Sequence, residues 1–133
     1  MGNSQTKIDF LIIEDDFNTV KLLKLFVESN GHTCKVAGSV KKGLEILKNY
    51  TPSLILLDLL LPDKKGFEIL PAIKSNLLFK DTLIYFLTAI PRSEALELME
   101  KYGANGVISK PFNLEELDAL FRVLEKKQSR LIT

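Results

Sequence analysis

Five short apolar runs alternate with longer segments of helical periodicity, and this alternation constrains the fold more than any other feature of the sequence. The runs lie at residues 8–13, 33–37, 54–57, 83–87 and 106–109. The first, third and fourth are continuously apolar, as strands are when helices cover both faces of their sheet. Parallel strands joined by helices require right-handed crossovers, so the order βαβαβαβαβα predicts an α/β three-layer sandwich with a mostly parallel sheet.

The intervening segments carry the caps and apolar stripes of helices. Helices are predicted at about 19–29, after Ser39, at 67–76, at 92–102 and from Asn113, which with Glu116 resembles a capping box. Pro71 lies inside the third helix and lacks a backbone donor, so we expect a kink or a late start there. The length, 133 residues, suits one domain over 1–133, with a core over about 7–127, a short polar N-terminal lead and a C-terminal tail.

Composition argues against several classes of function. A net charge of +1 is not the broad positive field of a protein that binds nucleic acid or anionic membranes. The apolar runs are far shorter than the ~20 residues of a membrane span. One cysteine, Cys34, excludes an internal disulfide, and a reducing cytoplasm fits best. We expect Cys34 to be a small core or edge residue and His32 to be an exposed turn residue, both without a chemical role.

Polar side chains stand where the predicted strands end, which is where sites form in open α/β sheets. Glu14, Asp15 and Asp16 follow the first strand, and Asp58 follows the third. The fourth strand ends at Thr88. If the first and third strands are neighbours, the carboxylates of Glu14, Asp15 and Asp58 converge in one cleft. They repel one another there unless a cation compensates for their charge.

Lys110, which follows the fifth strand, and Thr88 supply the other groups of this cleft. Oxygen ligands without nearby cysteine or histidine favour a hard ion such as Mg²⁺, which takes one or two carboxylates and keeps several waters. That leaves one carboxylate free to act as a nucleophile toward phosphorus, with the lysine and the hydroxyl neutralising phosphoryl oxygens.

Each of these residues also has an ordinary structural interpretation. Acids after the first strand stabilise a helix N-terminus, although one acid is enough for that purpose. Thr88 can simply end a strand, and Lys110 can be a solvated loop residue. Asp58 is harder to explain structurally, because a carboxylate in so apolar a stretch costs free energy unless it has a partner. A final group of basic residues suits the negative end of the last helix and is expected to be solvated: Lys126, Lys127 and Arg130.

Four motifs, each at the end of a predicted strand, follow one another along the chain: FLIIEDD at 10–16, LLDLLLP at 56–62, FLTA at 86–89 and SKPF at 109–112. In this order they are similar to the motifs of response regulator receiver domains in two-component signal transduction, of the chemotaxis-regulator type. The resemblance covers about residues 7–127. It implies a flavodoxin-like fold with five helices and a five-stranded parallel sheet in the order 2-1-3-4-5.

The resemblance also implies a role for each residue of the cleft. Asp58 would accept a phosphoryl group from a phosphohistidine, with Thr88 and Lys110 contacting the phosphoryl oxygens. Pro111 would follow a cis peptide bond. The chain would catalyse only its own phosphorylation and slow dephosphorylation, and so would not be a classical enzyme.

The metal ligands that the resemblance implies are four. Asp15 would bind Mg²⁺ directly and Glu14 would bind it through water. Asp58 and the backbone carbonyl of Leu60 would be the other two ligands. Mn²⁺ is an alternative ion.

The implied partners are proteins. A sensor histidine kinase or a histidine phosphotransfer domain would dock on the first helix near Phe17 and Val20, and the output would go to a downstream protein or a fused output domain. A phosphorylation-dependent homodimer is an additional expectation. No nucleic acid and no membrane partner is expected within these residues.

Three departures from the family pattern carry further expectations. Val107 stands where many receivers have an aromatic residue, so the phosphorylation signal would travel through backbone shifts or a different side chain. Lys65-Gly66 replaces the common Asp-Gly, which adds a positive charge near the site. Leu60 and Ile90, each two positions beyond an active-site residue, are apolar and would hinder an attacking water, so we predict a long-lived phosphoryl group.

Two other functions remain open on this fold. One is a receiver-like interaction module that is never phosphorylated, which the residue at position 107 leaves possible. The other is a nucleotide- or flavin-binding domain, which should have a phosphate loop after the first strand. The acidic segment there would repel a phosphate, and neither G-x-G-x-x-G nor G-x-x-x-x-G-K-[ST] occurs.

Overall fold

The computed structural model describes residues 5–132 and contains five strands within that range. They are β1 (Thr6–Ile13), β2 (Cys34–Ala37), β3 (Tyr50–Leu57), β4 (Leu83–Thr88) and β5 (Gly106–Ser109). All neighbouring strands are parallel, and the sheet has the order β2-β1-β3-β4-β5. The predicted sheet and strand order are therefore confirmed.

Helices follow the strands in turn. They are α1 (Phe17–Ser29), α2 (Val40–Leu47), α3 (Leu70–Lys74), α4 (Arg92–Tyr102) and α5 (Leu114–Ile132). Short 3₁₀ turns lie at Gly66–Ile69 and Leu77–Phe79. Within residues 5–132, no helix combines the length and the apolar character that a membrane span needs.

The third helix confirms the late start expected from its proline. The 3₁₀ turn at Gly66–Ile69 precedes α3, and Pro71 lies in the first turn of α3. A first-turn residue has no partner for its backbone N–H in any case, so proline is tolerated there. The result is a helix of only five residues, shorter than the predicted segment at 67–76.

Helices cover both faces of the sheet, which explains why its central strands are continuously apolar. Along β1, Leu11 and Ile13 pack in the core that α2, α3 and α4 close, whereas Phe10 and Ile12 pack against α1 and α5. All four are at most 1% exposed. Successive side chains of a strand point to opposite faces, so a strand with helices on both sides needs an apolar residue at every position.

The expectation that His32 is an exposed turn residue is wrong. Its side chain is 13% exposed, its ring stacks on Phe121 at 5.0 Å between centroids, and its Nδ1 lies 3.3 Å from Oδ2 of Asp9. The preceding Gly31 adopts a φ of 82°, which turns the chain toward β2. The partners of the ring come from β1 and α5, far away in the sequence, so the local turn pattern could not reveal this packing.

Candidate functional site

The carboxyl ends of β1 and β3 place two carboxylates side by side. Ile13 pairs with Leu57 across these neighbouring strands, and the backbone N of Asp58 donates to the carbonyl of Ile13 at 2.9 Å. Glu14 and Asp58 are the next residues of the two strands, and they are 2% and 6% exposed. Two acidic side chains therefore lie nearly out of contact with bulk water at one edge of the sheet.

Asp15 completes a group of three carboxylates. One side-chain oxygen from each of Glu14, Asp15 and Asp58 lies within 4.8 Å of the other two. The convergence predicted from the strand ends is thus confirmed. A set of oxygen donors with this spacing is suited to a hard divalent cation such as Mg²⁺.

Lys110 is the counter-charge to the two buried carboxylates. Its Nζ donates to Oδ2 of Asp58 at 3.1 Å and also to Oε1 of Glu14. Burial works to lower the pKa of Lys110, but the hydrogen bonds to the two carboxylates outweigh it and raise that pKa above its usual value. Lys110 is therefore a member of the site and not a solvated loop residue.

Glu14 is the most deeply buried acid of the group. Burial raises its pKa, although the hydrogen bonds from Lys110 and from the backbone N of Asp16 work against this rise. Its second oxygen, Oε2, accepts hydrogen bonds from the backbone N of Asp15 at 3.0 Å and of Asp16 at 3.1 Å. Both oxygens of Glu14 thus have donors, which fixes the side chain.

The formal charges of the cluster match a divalent cation. Three ionised carboxylates contribute −3 and Lys110 contributes +1, which leaves −2. An exposed carboxylate at Asp15 lies beside the two buried ones, so an ion could reach the group from solvent. The residues present therefore fit Mg²⁺ by donor type, by spacing and by charge.

Asp16 has the ordinary structural role considered for this acidic segment. It is the N-cap of α1, where its Oδ2 accepts from the backbone N of Thr19 at 2.9 Å and from its hydroxyl at 2.6 Å. These hydrogen bonds lower the pKa of Asp16. One acid of the segment caps the helix, and the two before it belong to the site.

Thr88 ends β4 at the same edge of the sheet and is completely buried. Its carbonyl accepts from the backbone N of Lys110 at 2.9 Å, and its Oγ1 accepts from the backbone N of Ile90 at 3.4 Å. Within residues 5–132 its hydroxyl makes no hydrogen bond to Asp58 or Lys110, so the side chains predicted to contact a phosphoryl group are not joined to each other here. The peptide bond between Lys110 and Pro111 is cis, as predicted.

The loop after β3 folds back tightly on Asp58. The backbone N of Leu60 donates to Oδ1 of Asp58 at 3.2 Å, and Leu60 forms an isolated bridge with Lys65. A Cβ on Gly66 would lie 2.0 Å from the carbonyl oxygen of Asp58, so only glycine fits there. Leu60 is 48% exposed and borders an open depression of about 520 Å³ that also reaches Asp15. Asp15 is the member of the carboxylate group that lines this depression.

Asp63 anchors this loop to α2 and was missed by the sequence analysis. Its two carboxylate oxygens accept from the backbone N of Val40 and of Lys41, both at 3.0 Å. These hydrogen bonds lower the pKa of Asp63. The local pattern identifies Ser39 as the cap of α2, and Ser39 does accept from the backbone N of Lys42. A second cap from a residue 23 positions away leaves no local signal.

A small aliphatic side chain, that of Val107, stands at the edge of the sheet beyond Thr88. Val107 packs partly buried against the core, and its carbonyl accepts from Nη1 of Arg92 at 3.4 Å. The aromatic side chain at this edge is that of Tyr85 on β4, whose ring covers Gly106. A Cβ on Gly106 would lie 2.6 Å from that ring.

Ser109 belongs to the SKPF motif, but the sequence predicted no separate role for its side chain. It pairs with Thr88 between β4 and β5, and its Oγ is buried without a hydrogen-bond partner within residues 5–132. A buried hydroxyl without a partner costs free energy, so it is a ready donor to any group that enters beside Thr88. A serine within a strand carries no sequence signal for this role.

Comparison with known protein families agrees with this geometry. The response regulator receiver domain family matches residues 10–122 of the chain. Response regulator ArlR of Staphylococcus saprophyticus is 37% identical over 92% of this chain and 54% of its own length. The transcriptional regulatory protein TrcR of Mycobacterium tuberculosis is 31% identical over 93% of this chain and 48% of its own length. The chain thus spans about half the length of these two relatives.

Solved structures agree as well. A CheY-like response regulator receiver domain protein from Methanospirillum hungatei is 26% identical with a TM-score of 0.80, covering 96% of this chain and 99% of that one. The BeF3-activated DrrB receiver domain is 25% identical with a TM-score of 0.76, covering 92% and 98%. Since the family match takes in Glu14, Asp58, Thr88 and Lys110, the chain belongs to the response regulator receiver domains of two-component systems.

Proposed function

We propose that Asp58 accepts a phosphoryl group from the phosphohistidine of a sensor histidine kinase or a histidine phosphotransfer domain. A carboxylate oxygen of Asp58 forms the new bond to phosphorus while the bond from phosphorus to the imidazole nitrogen breaks, and the imidazole leaves with its electron pair. Bound Mg²⁺, or Mn²⁺ in its place, would neutralise the phosphoryl oxygens during this transfer. Glu14, Asp15, Asp58 and the backbone carbonyl of Leu60 would hold the ion.

One observation carries this proposal: Lys110 pairs with the acceptor before any phosphoryl group is present. Its ammonium lies 3.1 Å from Oδ2 of Asp58, so a positive charge already stands where the charge of the transferred group would develop. Glu14 accepts a second hydrogen bond from the same ammonium, which limits its movement. Phosphoryl transfer depends mainly on such positioning and charge neutralisation.

The phosphorylated protein would be a switch. New negative charge on Asp58 would draw Lys110 and the hydroxyl of Thr88 toward it, because both are donors at the same edge of the sheet. That movement would bias the surface built from α4, β5 and α5. A downstream protein, a fused output domain or a second copy in a phosphorylation-dependent homodimer would bind there. The proposal places this reaction in the cytoplasm, where the thiol of Cys34 would stay reduced.

The competing interaction module would use the same surface without phosphorylation. Val107 favours it, because the chain lacks the aromatic side chain that many receivers have at that position. The intact group of Glu14, Asp15, Asp58 and Lys110 favours the phosphorylated switch, since a module of the other kind has no use for buried paired carboxylates.

The experiment that tests the proposal is phosphorylation with a small donor. The full chain is incubated with acetyl phosphate with and without Mg²⁺, and intact mass and amide NMR spectra are recorded, with beryllofluoride as a second probe. We expect a gain of one phosphoryl group and spectral shifts around Thr88 and Lys110, both requiring Mg²⁺. Asp58→Asn should abolish them. Asp118→Asn, which changes an exposed carboxylate on α5, should not.

A lack of any response from the folded wild-type protein would contradict the proposal and favour the interaction module. So would a mass gain that persists in Asp58→Asn. Circular dichroism of both variants shows whether a lost response reflects chemistry or unfolding.

A further inference from the structure

Basic side chains gather at the amino ends of the strands, on the opposite side of the molecule from the carboxylates. Five of them surround one pocket of about 440 Å³: Lys74, Lys80, Lys126, Lys127 and Arg130. Asp81 is the one acidic side chain that lines this pocket within residues 5–132. The net charge of +1 averages over two ends of opposite sign and therefore conceals this concentration of positive charge.

The pocket is a concavity with an apolar wall and a basic rim. Leu83 on β4 and Val123 on α5 line it together with the basic residues. Its volume falls within the range of about 300–1,000 Å³ that small-molecule sites occupy.

Lys127 lines the pocket and was expected to be solvated. Instead its Nζ donates to the backbone carbonyl of Ser53 at 3.1 Å, and the side chain is half-buried. This bond uses one of the three ammonium hydrogens, so the others remain for a ligand. Burial lowers the pKa of Lys127 and Asp81 only partly offsets this, so the ammonium would gain from an additional anion.

The neutral polar side chains that line the pocket with Lys127 are those of Thr82 and Asn105. The hydroxyl of Thr82 already donates to the carbonyl of Pro52 at 2.7 Å. Oδ1 of Asn105 accepts from the backbone N of Ile84 at 2.8 Å, which fixes the orientation of the amide group and leaves its two hydrogens available as donors. Ammonium and amide donors beside Leu83 and Val123 match a ligand with an anionic group and an apolar ring.

We propose that this pocket binds a small organic phosphate of nucleotide size, with its phosphates at the basic rim and its ring against Leu83 and Val123. The site is distinct from the carboxylates at Asp58, which lie at the other end of the strands. It also differs from the phosphate loop of a nucleotide-binding domain, which would follow β1 at the carboxyl end. The proposal goes beyond the phosphorylation switch and does not depend on it.

ATP is the probe for this site, titrated into the full chain in a buffer with a chelator and without Mg²⁺. Under these conditions the Asp58 site has no metal ion, so failure of phosphorylation and failure of this binding are separate results. Amide NMR reports the location, and calorimetry reports the affinity. Lys80→Gln combined with Lys126→Gln removes two rim charges, while Lys21→Gln combined with Lys42→Gln removes two exposed charges elsewhere.

We expect shifts confined to the pocket, around Asp81, Asn105 and Lys127. The rim variant should weaken binding about tenfold, the control variant should leave it unchanged, and added salt should weaken it further. Inorganic triphosphate and adenosine should each bind more weakly than ATP, because triphosphate lacks the ring and adenosine lacks the phosphates.

Several outcomes would overturn the proposal. These are the absence of shifts at millimolar ATP, shifts spread over all lysines, or an equal loss in the rim and control variants. Equal affinity for inorganic triphosphate and ATP would exclude a role for the apolar wall. Binding to vesicles of phosphatidylcholine and phosphatidylserine that ATP does not displace would assign the basic end to a lipid surface.

Discussion

Oδ1 of Asp63 accepts a hydrogen bond from the backbone N of Val40 at 3.0 Å, so the loop that follows Asp58 also caps the first turn of α2. The other carboxylate oxygen accepts from Lys41. The side chain of Asp63 therefore connects the loop after Asp58 to the N-terminus of α2. Any displacement of the loop, by a bound ion or by a phosphoryl group, has to strain this cap or carry α2 with it.

Replacement of Asp63 should destabilise the protein in a pH-dependent way. The folded state lowers the pKa of Asp63 through hydrogen bonds from Lys41 and Val40, so its contribution is complete above the unfolded value of about 3.9 and disappears as the pH falls through the lower folded value. Asp63→Ala should therefore lower the urea midpoint at pH 7 and lose this effect toward pH 3. Asp118→Ala is the control. A difference that persists unchanged at pH 3 would contradict the assignment.

Gly66→Ala should be strongly destabilising. The added Cβ would meet the carbonyl oxygen of Asp58 at 2.0 Å, and this contact can only be relieved by moving backbone. We expect a loss of about 2–4 kcal/mol in the free energy of unfolding. Gly38→Ala is the matched control, because no atom lies within 4 Å of its added Cβ. Equal stability of the two variants in urea titrations would show that the loop is not packed as described.

Gly106 and Tyr85 should be energetically coupled. Alanine at 106 would place its Cβ 2.6 Å from the Tyr85 ring, so Gly106→Ala should cost about 1–3 kcal/mol in the wild-type protein. In a Tyr85→Ala background most of that cost should vanish, because the ring that it displaces is gone. A double-mutant cycle measures the coupling. An identical cost in both backgrounds would mean that the ring does not lie over position 106.

The apolar residues beside the acceptor should slow hydrolysis of the phosphorylated protein, given the proposed function. Leu60 lines the depression that also reaches Asp15, and Ile90 follows Thr88 by two positions. Leu60→Asn together with Ile90→Asn should admit and orient water, which would speed dephosphorylation about tenfold, equivalent to 1.4 kcal/mol in the barrier. Leu77→Asn, a remote and exposed change, should have no effect. A wild-type half-life of only seconds would refute the expectation.

Sequence reasoning succeeded where the signal is local. The end of each strand is visible in the change from apolar to polar residues, so Glu14, Asp58 and Thr88 could be placed without coordinates. The late start of α3 followed from Pro71 alone. Strand order was not available from local pattern and came from the family resemblance.

Where partners are distant in the chain, the same reasoning failed. His32 and Lys127 were both expected in solvent, yet each contacts residues from other elements. The cap that Asp63 supplies to α2 was missed for the same reason. A charged or polar side chain is expected in solvent when its neighbours in the sequence offer it no partner. Its partner becomes known only when the fold brings a distant residue to it.

The position of β3 in the sheet determines which parts of the molecule can move independently. β3 is hydrogen-bonded to β1 on one side and to β4 on the other, whereas β5 has four residues and β4 as its neighbour. Amides of a central strand exchange with solvent only through large openings, and edge elements open locally. We therefore expect Asp58 to follow the strand whose amides exchange last, and the edge at Val107 and Ser109 to open in local fluctuations that leave the acceptor in place.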